Sequence, residues 1–569
     1  DVGAYEVDSG SNAPTPTPAQ PTKTPVSPPL STPVPPTPKP TDKPLPPTAT
    51  TAPPTATLTD TPLPPTSTST HTPVPPTSTS THTPLPPTDT PTHTPLPPPT
   101  TTPVPPPTDT PVPPTVTPAP VPPPPQNGLY YVSPGGSDSA GNGSLDSPWR
   151  TASYALDHGP SNGGFTVVLL DGEYTDPVTT RRSFAEPVQV RAMHDYQAVL
   201  VNTGSTPIKL GGSSEAHKSF NITFSGLEIK GLGSGSQGYA LVYLWKADDV
   251  VLENCIIHDS YNNDLMRVLH SARITIRNSV FYNPPGMEEA IDINGGSQDV
   301  VVSDSIFFND YAASGRSESY PRPFVLIKTS GLDSDGITRR ITLQRNIFLQ
   351  KVTDAGWPGQ VHVGGDSKDY YTAQEVTVQN NLFVAADGQD VGIPIRVSGA
   401  RDVVIRANTM RSGPGSFQAM GDIERQSSGP ICTNIRYANN VFLDASPSRF
   451  IRGEGGDVEN SSLENNLYWQ TPPITSADYF NYMDDNRAVV ADPLLPLAGD
   501  KIPMPVWRGH GFDGGYGSIR DAFMSLVQRY AVPAGGSPIV NAASGDMPPD
   551  DITGSPRDGA RDVGAYEAR

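Results

Sequence analysis

An eight-residue phrase recurs down the second half of the chain and limits what that half can fold into. It reads Val250-Val-Leu-Glu-Asn-Cys255-Ile-Ile257, then Ile274-Thr-Ile-Arg-Asn-Ser279-Val-Phe281 and Val300-Val-Val-Ser-Asp-Ser305-Ile-Phe307. Further copies end in Asn346-Ile-Phe348, Asn381-Leu-Phe383, Asn408-Thr-Met410, Asn440-Val-Phe442 and Asn466-Leu-Tyr468, and a weaker one begins at Ile222. Each copy is two short period-2 runs hinged by a small or amide residue. The copies start 24 to 41 residues apart, the repeat length of a solenoid coil.

Period-2 alternation puts Val250 with Leu252, Ile274 with Ile276, and Val376 with Val378 on one face of a strand, pointing inward. The sixth position runs Leu227, Cys255, Ser279, Ser305, Asn346, Asn381, Asn408, Asn440, Asn466. Such a column suits an internal ladder at a tight bend, where each amide bonds its own backbone and the amide one coil away. One coil cannot bury its apolar face alone, so neighbours must stack. The fold class read from this is an all-β right-handed parallel β-helix, with about nine coils of about 4.8 Å each. A leucine-rich repeat would need leucine-spaced strands followed by helices, and a β-propeller about forty residues per four-stranded blade; the phrase supplies neither.

Composition separates the chain into parts. Of its 569 residues 70 are proline, and these concentrate where Pro and Thr alternate with few large apolar residues. Such a tract cannot offset its ordering entropy by burial and reads as an extended stalk of the composition that carries O-glycans. His71, His82 and His93 recur within it at an eleven-residue period, each before Thr-Pro, as copies of a repeat. The expected organisation is 1–12 as the tail of a preceding repeat unit, 13–125 as Pro/Thr linker, 126–496 as β-helix and 497–569 as a carboxy-terminal cap with one helix over Ser518–Tyr530.

A net charge of −20 argues against a nucleic-acid partner, which needs a basic footprint, and suits an extracellular or cell-surface location. No run of eighteen apolar residues offers a membrane span. Cys255 and Cys432 fall in coils too far apart to bridge and are expected to be free thiols.

The hexapeptide Asp-Val-Gly-Ala-Tyr-Glu occupies residues 1–6 and again 562–567. Two accounts fit: excision from a tandem array, or a strand that closes its own solenoid and can close a neighbour's, with copies of this chain as head-to-tail partners.

Leu129-Tyr-Tyr-Val-Ser-Pro opens the folded part, followed by a Gly/Asp/Ser loop and Ser147-Pro-Trp-Arg-Thr-Ala-Ser-Tyr154. This resembles the opening of secreted right-handed parallel β-helix proteins of the pectate-lyase-like superfamily. Ser147-Pro148 reads as an N-cap with Pro at N1, starting a helix that covers the end of the solenoid. The ending, Asp551 to Glu567, resembles that of bacterial surface-anchored β-helix proteins.

Each coil also has a strand ahead of the phrase, and alternation there turns Tyr243, Trp245, Arg267, Asp292, Asn294, Lys328, His362 and Arg396 outward. A stacked line of aromatic, amide, acidic and basic groups suits an extended anionic polysaccharide, rings against sugar faces and cations against carboxylates or sulfates. The family resemblance implies more: in lyases of this fold a Lys or Arg takes the proton α to a uronate carboxylate whose charge a calcium ion or basic residue neutralises. Lys328 or Arg267 is then the base, and Asp292 with Glu288 and Glu289 the calcium-binding oxygens. The Arg-x-Pro-x-x-Arg of pectate lyases and the Asn-Thr-Asp of polygalacturonases are absent. Three functions therefore stay open: a glycan-binding surface module, a structural subunit of a filament or tandem fibre, and a polysaccharide lyase or hydrolase.

Overall fold

A computed structural model describes residues 127–569 except 233–237, 287, 317–321, 352–359, 387–389, 426, 428, 444–450, 454–455, 457, 470–484, 498 and 500. The amino-terminal hexapeptide, the Pro/Thr tract and its three histidines lie outside the described residues.

The described strands form three long parallel sheets of 13, 12 and 9 strands, each strand pairing with its counterparts one coil before and after. The chain is a parallel β-helix. The first half of each phrase lies in the first sheet and the second half in the second, and the strand ahead of the phrase belongs to the third. Register is in step throughout: Val250 pairs with Ile274, Ile274 with Val300, Val300 with Ile341 and Ile341 with Val376. Positions one and three of the phrase point inward and are buried, and position eight stacks Phe281, Phe307, Phe348 and Phe383 at 4.8–5.1 Å centroid spacing.

The column at position six is a continuous hydrogen-bonded ladder. Ser279 Oγ accepts from the Cys255 backbone N–H and Ser305 Oγ from that of Ser279, and Asn346 Oδ1 accepts from Ser305. From there each Asn Oδ1 accepts both the backbone N–H and the side-chain Nδ2 of the Asn one coil earlier: Asn381 from Asn346, Asn408 from Asn381, Asn440 from Asn408 and Asn466 from Asn440, at 2.9–3.1 Å. Asp485 ends the row, accepting from the backbone and Nδ2 of Asn466. The left-handed residue of the bend is the one before the ladder: Asn254, Asn278, Asp304, Arg345, Asn380, Ala407, Asn439 and Asn465 all have φ of 46–56°. Asn and Asp tolerate that conformation best, which explains their frequency at position five.

Cys255 and Cys432 are free and buried, and burial pushes the Cys255 thiol up to about 12. The short helix α1 spans Ala152–His158 and is capped by Thr151, whose side chain accepts from the Tyr154 N–H. Ser147-Pro148 is therefore not the cap. That segment turns back on itself through a Ser144–Ser147 bridge, and Thr151 is fixed instead by Asp138, which accepts from its N–H and hydroxyl.

The helix α2, Ile519–Tyr530 capped by Ser518, does not pack on the solenoid end as expected. It lies on the outer face of the second sheet, where Ile519, Phe523, Leu526 and Tyr530 join an apolar cluster with Ile256, Val280, Ile306, Ile347 and Leu382. Those five occupy position seven of the phrase, which faces out while position eight faces in. The carboxy-terminal hexapeptide runs along the same flank without forming a strand or closing the last sheet edge. Gly564 N–H donates to Asn439 O and Ala565 N–H to Thr409 Oγ1, and Val563 and Ala565 are fully buried. Gly564 has φ +95°, and a Cβ there would stand 2.9 Å from Val441.

Candidate active site on the third sheet

With the second sheet roofed by the carboxy-terminal segment, the third sheet carries the chemistry-bearing face. Its inward residues, Val242, Met266, Ile291, Val325, Val361 and Ile395, alternate with two outward rows. One row, by Cα pairing, is Lys209, Tyr243, Arg267, Asp292, Leu326, His362, Arg396, Asp422. Trp245, Leu269 and Asn294 form the other, and Lys328 follows directly on the strand Val325–Ile327. All eight residues singled out in the sequence thus point away from the coil interior. They are not an exposed surface, however: Tyr243, Asp292, Asn294 and His362 are buried, because corner loops and long neighbouring side chains close over them.

The row breaks into three neighbourhoods. At the amino-terminal side, Tyr239 stacks on Tyr243, Tyr243 meets Trp245 edge-on, and Lys209 lies over the Tyr239 ring. These line an open cavity of about 640 Å³ with Arg181 and Glu215. At the carboxy-terminal side, Arg396 pairs with Asp422 and Glu424, and His362 Nε2 is 2.7 Å from Ser398 Oγ. Burial, then the cations of Arg396 and Lys328, pushes the His362 imidazole down to about 3, so it is neutral in any ordinary medium.

Between them lies an acidic cup. Ligand-type oxygens of Asp264, Glu288 and Glu289 come within 4.8 Å of one another, and Asp292 is joined to the group through Arg267. Arg267 binds Asp264 at 2.6 Å and is 3.5 Å from Asp292. Asp264 Oδ1 accepts from the Glu289 backbone N–H, while Asp292 Oδ1 is buried with no hydrogen-bond partner among the described residues. Four carboxylates share this space with one guanidinium. The cost shows in their ionisation: burial, then Asp264, pushes Asp292 up to about 6, and burial followed by Asp264 and Asp292 raises Glu289 well above the usual carboxylate range. Asp264 is raised by burial too, although Arg267 opposes it.

Lys328 borders the cup. Its Nζ is 3.2 Å from Asp366 Oδ1, while Asp366 Oδ2 accepts from Ser330 Oγ and Asn294 Oδ1 accepts from the Ser330 N–H. Burial alone would lower the Lys328 amine, but Asp292, Asp366 and Glu289 outweigh it and hold it above the ordinary value. Asp264 and Asp366 were missed in the sequence because both lie outside the alternating strands. The missing signal for Asp264 is the coil step: Met266 pairs with Ile291, so Asp264 stands one coil below Glu289.

All-oxygen, hard, anionic donors suit a calcium ion, and Asp264, Glu288 and Glu289 bring their oxygens close enough to share one. The donor set therefore fits the cofactor inferred from the family resemblance, with Asp264 in the place expected for Asp292, which lies beyond Arg267.

No protein-family model matches the chain, and no curated protein matches it by sequence. Among solved structures it is similar to pectate lyase Pel9A, with 16% identity and a TM-score of 0.42 over 78% of this chain and 96% of that one. It is also similar to an alginate lyase from Paenibacillus sp. str. FPU-7, with 17% identity and a TM-score of 0.37 over 58% of this chain and 99% of that one. A third likeness is to PfbA, a surface adhesin of Streptococcus pneumoniae, with 15% identity and a TM-score of 0.34 over 55% and 84%. Likeness at this level carries no residue correspondence, so the site rests on its own geometry.

Proposed function

We propose that the chain is a calcium-dependent polysaccharide lyase that cleaves an anionic, uronate-containing polymer laid along the third sheet, outside the cell. The observation that carries this is the group of three carboxylates, Asp264, Glu288 and Glu289, whose oxygens come within 4.8 Å of one another beside Asp292 and the Lys328 amine.

Asp264, Glu288 and Glu289 would hold the ion, with the Asp292 charge beside them. Bound there, calcium would neutralise a uronate carboxylate and so acidify the proton on the adjacent carbon. Lys328 Nζ, in its neutral form, takes that proton, and the electron pair left behind forms a carbon–carbon double bond as the bond to the glycosidic oxygen breaks, the departing oxygen taking a proton from water to become the hydroxyl of the released chain. Arg267 is unsuited as the base, because Asp264, Asp292 and Glu288 overcome its burial and keep it protonated. Lys328 is suited because Asp292 and Glu289, two of the three carboxylates that hold its proton, lie at the ion site; a bound ion would offset their pull and leave burial opposed by Asp366 alone. The exposed Tyr239, stacked on the buried Tyr243, offers a ring face to a neighbouring sugar, and Lys209 a cation to its carboxylate.

The test is ultraviolet detection of unsaturated uronide with polygalacturonate, alginate and glycosaminoglycans. Absorbance rises with at least one polymer in calcium and stops on chelation. Binding to these polymers with no turnover on any of them would overturn the lyase reading in favour of a glycan-binding module.

Proton linkage sets a second expectation. Asp292 is raised to about 6, so above that pH it is ionised, and as pH falls through about 6 it takes up a proton and the negative field that draws the ion to its neighbours weakens. Apparent calcium affinity, measured by calorimetry, falls by up to about tenfold per pH unit below 6. Affinity unchanged between pH 7 and pH 5 would place the ion elsewhere.

A further inference from the structure

A second polar cluster lies outside this cup, at the corner where the third sheet passes into the first. His217 precedes the strand Lys218–Ser225, His270 follows Met266–Leu269, and Asp333 and Asp335 sit on the longer corner between Val325–Ile327 and Thr338–Gln344. That longer corner reaches back to the shorter ones. His270 Nδ1 is 2.8 Å from Asp335 Oδ2 and 3.2 Å from Asp333 Oδ2, and His217 Nε2 is 3.3 Å from Asp335 Oδ1.

We propose that this corner binds one first-row divalent transition ion of the zinc class, with His270, Asp333 and Asp335 as ligands. Three observations point the same way. First, ligands about 2.0–2.1 Å from a tetrahedral zinc ion stand roughly 3.3 Å from one another, and one atom each of His270, Asp333 and Asp335 lie within 4.8 Å of one another, His270 Nδ1 being 3.2 Å from Asp333 Oδ2. Second, His217 Nδ1 is 3.3 Å from Asp248 Oδ1, and Asp248 is itself anchored by the Ala272 N–H and Arg273. His217 Nε2 in turn meets Asp335 Oδ1, so the row Asp248–His217–Asp335 orients the carboxylate whose Oδ2 faces His270, as polar groups behind metal ligands do. Third, space has been made for the ring and the loop. Gly295 and Gly296 have φ of +63° and +76°, and a Cβ on the first would meet the His270 ring at 2.7 Å, on the second the Asp335 backbone at 2.8 Å. A cavity of about 310 Å³ lies against His217, Asp248, His270 and Asp335.

One neutral imidazole and two carboxylates also balance the charge of one divalent ion. The nitrogen donor separates this site from the all-oxygen cup and selects against calcium. Bound metal pins the corner whose first residues, Ser330 among them, orient Asn294 and Asp366 beside Lys328. The inference does not depend on the lyase reading.

Titrating Co²⁺ into the full chain with calcium in excess tests it. One saturable equivalent produces visible absorption and quenches Trp245, whose ring stacks on His270 at 5.7 Å. Zn²⁺ displaces it. His270→Ala and the half-exposed Asp333→Asn each weaken binding at least about tenfold, and Asp248→Asn by about tenfold. Trp245→Phe loses the quenching and keeps the absorption. Absence of a saturable equivalent overturns the proposal and leaves imidazolium ion pairs in the corner. So does displacement of Co²⁺ by calcium, or binding unchanged in both His270→Ala and Asp333→Asn, which would move the ion to other histidines such as His71, His82 and His93.

Discussion

Lys328→Ala is expected to lower kcat for elimination by roughly 10²- to 10⁴-fold, the usual contribution of a positioned general base, while calcium affinity and polymer binding change little. The split follows from where the side chain sits. Lys328 borders the cup and pairs with Asp366 without entering the Asp264–Glu288–Glu289 group, so removing it takes away a proton acceptor and no metal ligand. Asp292→Asn is expected to do the reverse, since it removes the partnerless charged oxygen, and its loss of rate is largely restored by raising calcium. Steady-state kinetics across a calcium series separate the two variants. A Lys328→Ala protein that retains the parent kcat would show that the base lies elsewhere on the sheet.

Asn408→Ala carries the largest expected loss of stability. Asn408 Oδ1 is the acceptor for both the backbone N–H and Nδ2 of Asn381, and Asn408 itself donates to Val378 O and Asn440 Oδ1. Truncation strands the buried Asn381 N–H and takes one bond each from Asn381 Nδ2, Val378 O and Asn440 Oδ1, at a cost of roughly 3–5 kcal/mol. Ser279→Ala, at the same phrase position but with one acceptor role, toward Cys255 N–H, costs about 1–3 kcal/mol. Urea unfolding of both variants measures the contrast. An Asn408→Ala protein within about 1 kcal/mol of the parent would mean that the ladder accompanies the stacking of coils without holding it.

The parts of this molecule that were legible in advance are those governed by strict periodicity. Alternation placed Val250, Leu252 and their counterparts inside, and the column from Cys255 to Asn466 announced a ladder, because a stacked coil repeats the same environment at each step. The outward sense of Arg267, Asp292, His362 and Arg396 followed from the same alternation. Their burial did not, since it depends on corners of unequal length such as residues 329–337. Asp264 and Asp366 lie on such corners, where no period marks them. The seat of α2 was written in the sequence in a form that is easy to pass over: Ile256-Ile257, Ile306-Phe307, Ile347-Phe348 and Leu382-Phe383 are paired apolar residues where a strand with one wet face would alternate. Both faces of the second sheet had to be covered, and α2 with the final hexapeptide supplies the cover.

That cover changes how the solenoid comes apart. In a simple stack each coil answers only to its two neighbours, so ends fray first and partly melted forms accumulate. Here one late segment touches coils far apart along the axis. Gly509 O accepts from Gln197, Trp507 donates to Glu228, Arg508 to Ala313 O, Arg557 to Asn380 Oδ1, and Ala542 O accepts from Asn465. Loosening any one of these coils strains the same strap that holds the rest. Coils from Gln197 to Asn465 therefore unfold together, and a protein built like a pile of separable rings behaves toward heat and denaturant as a single cooperative unit.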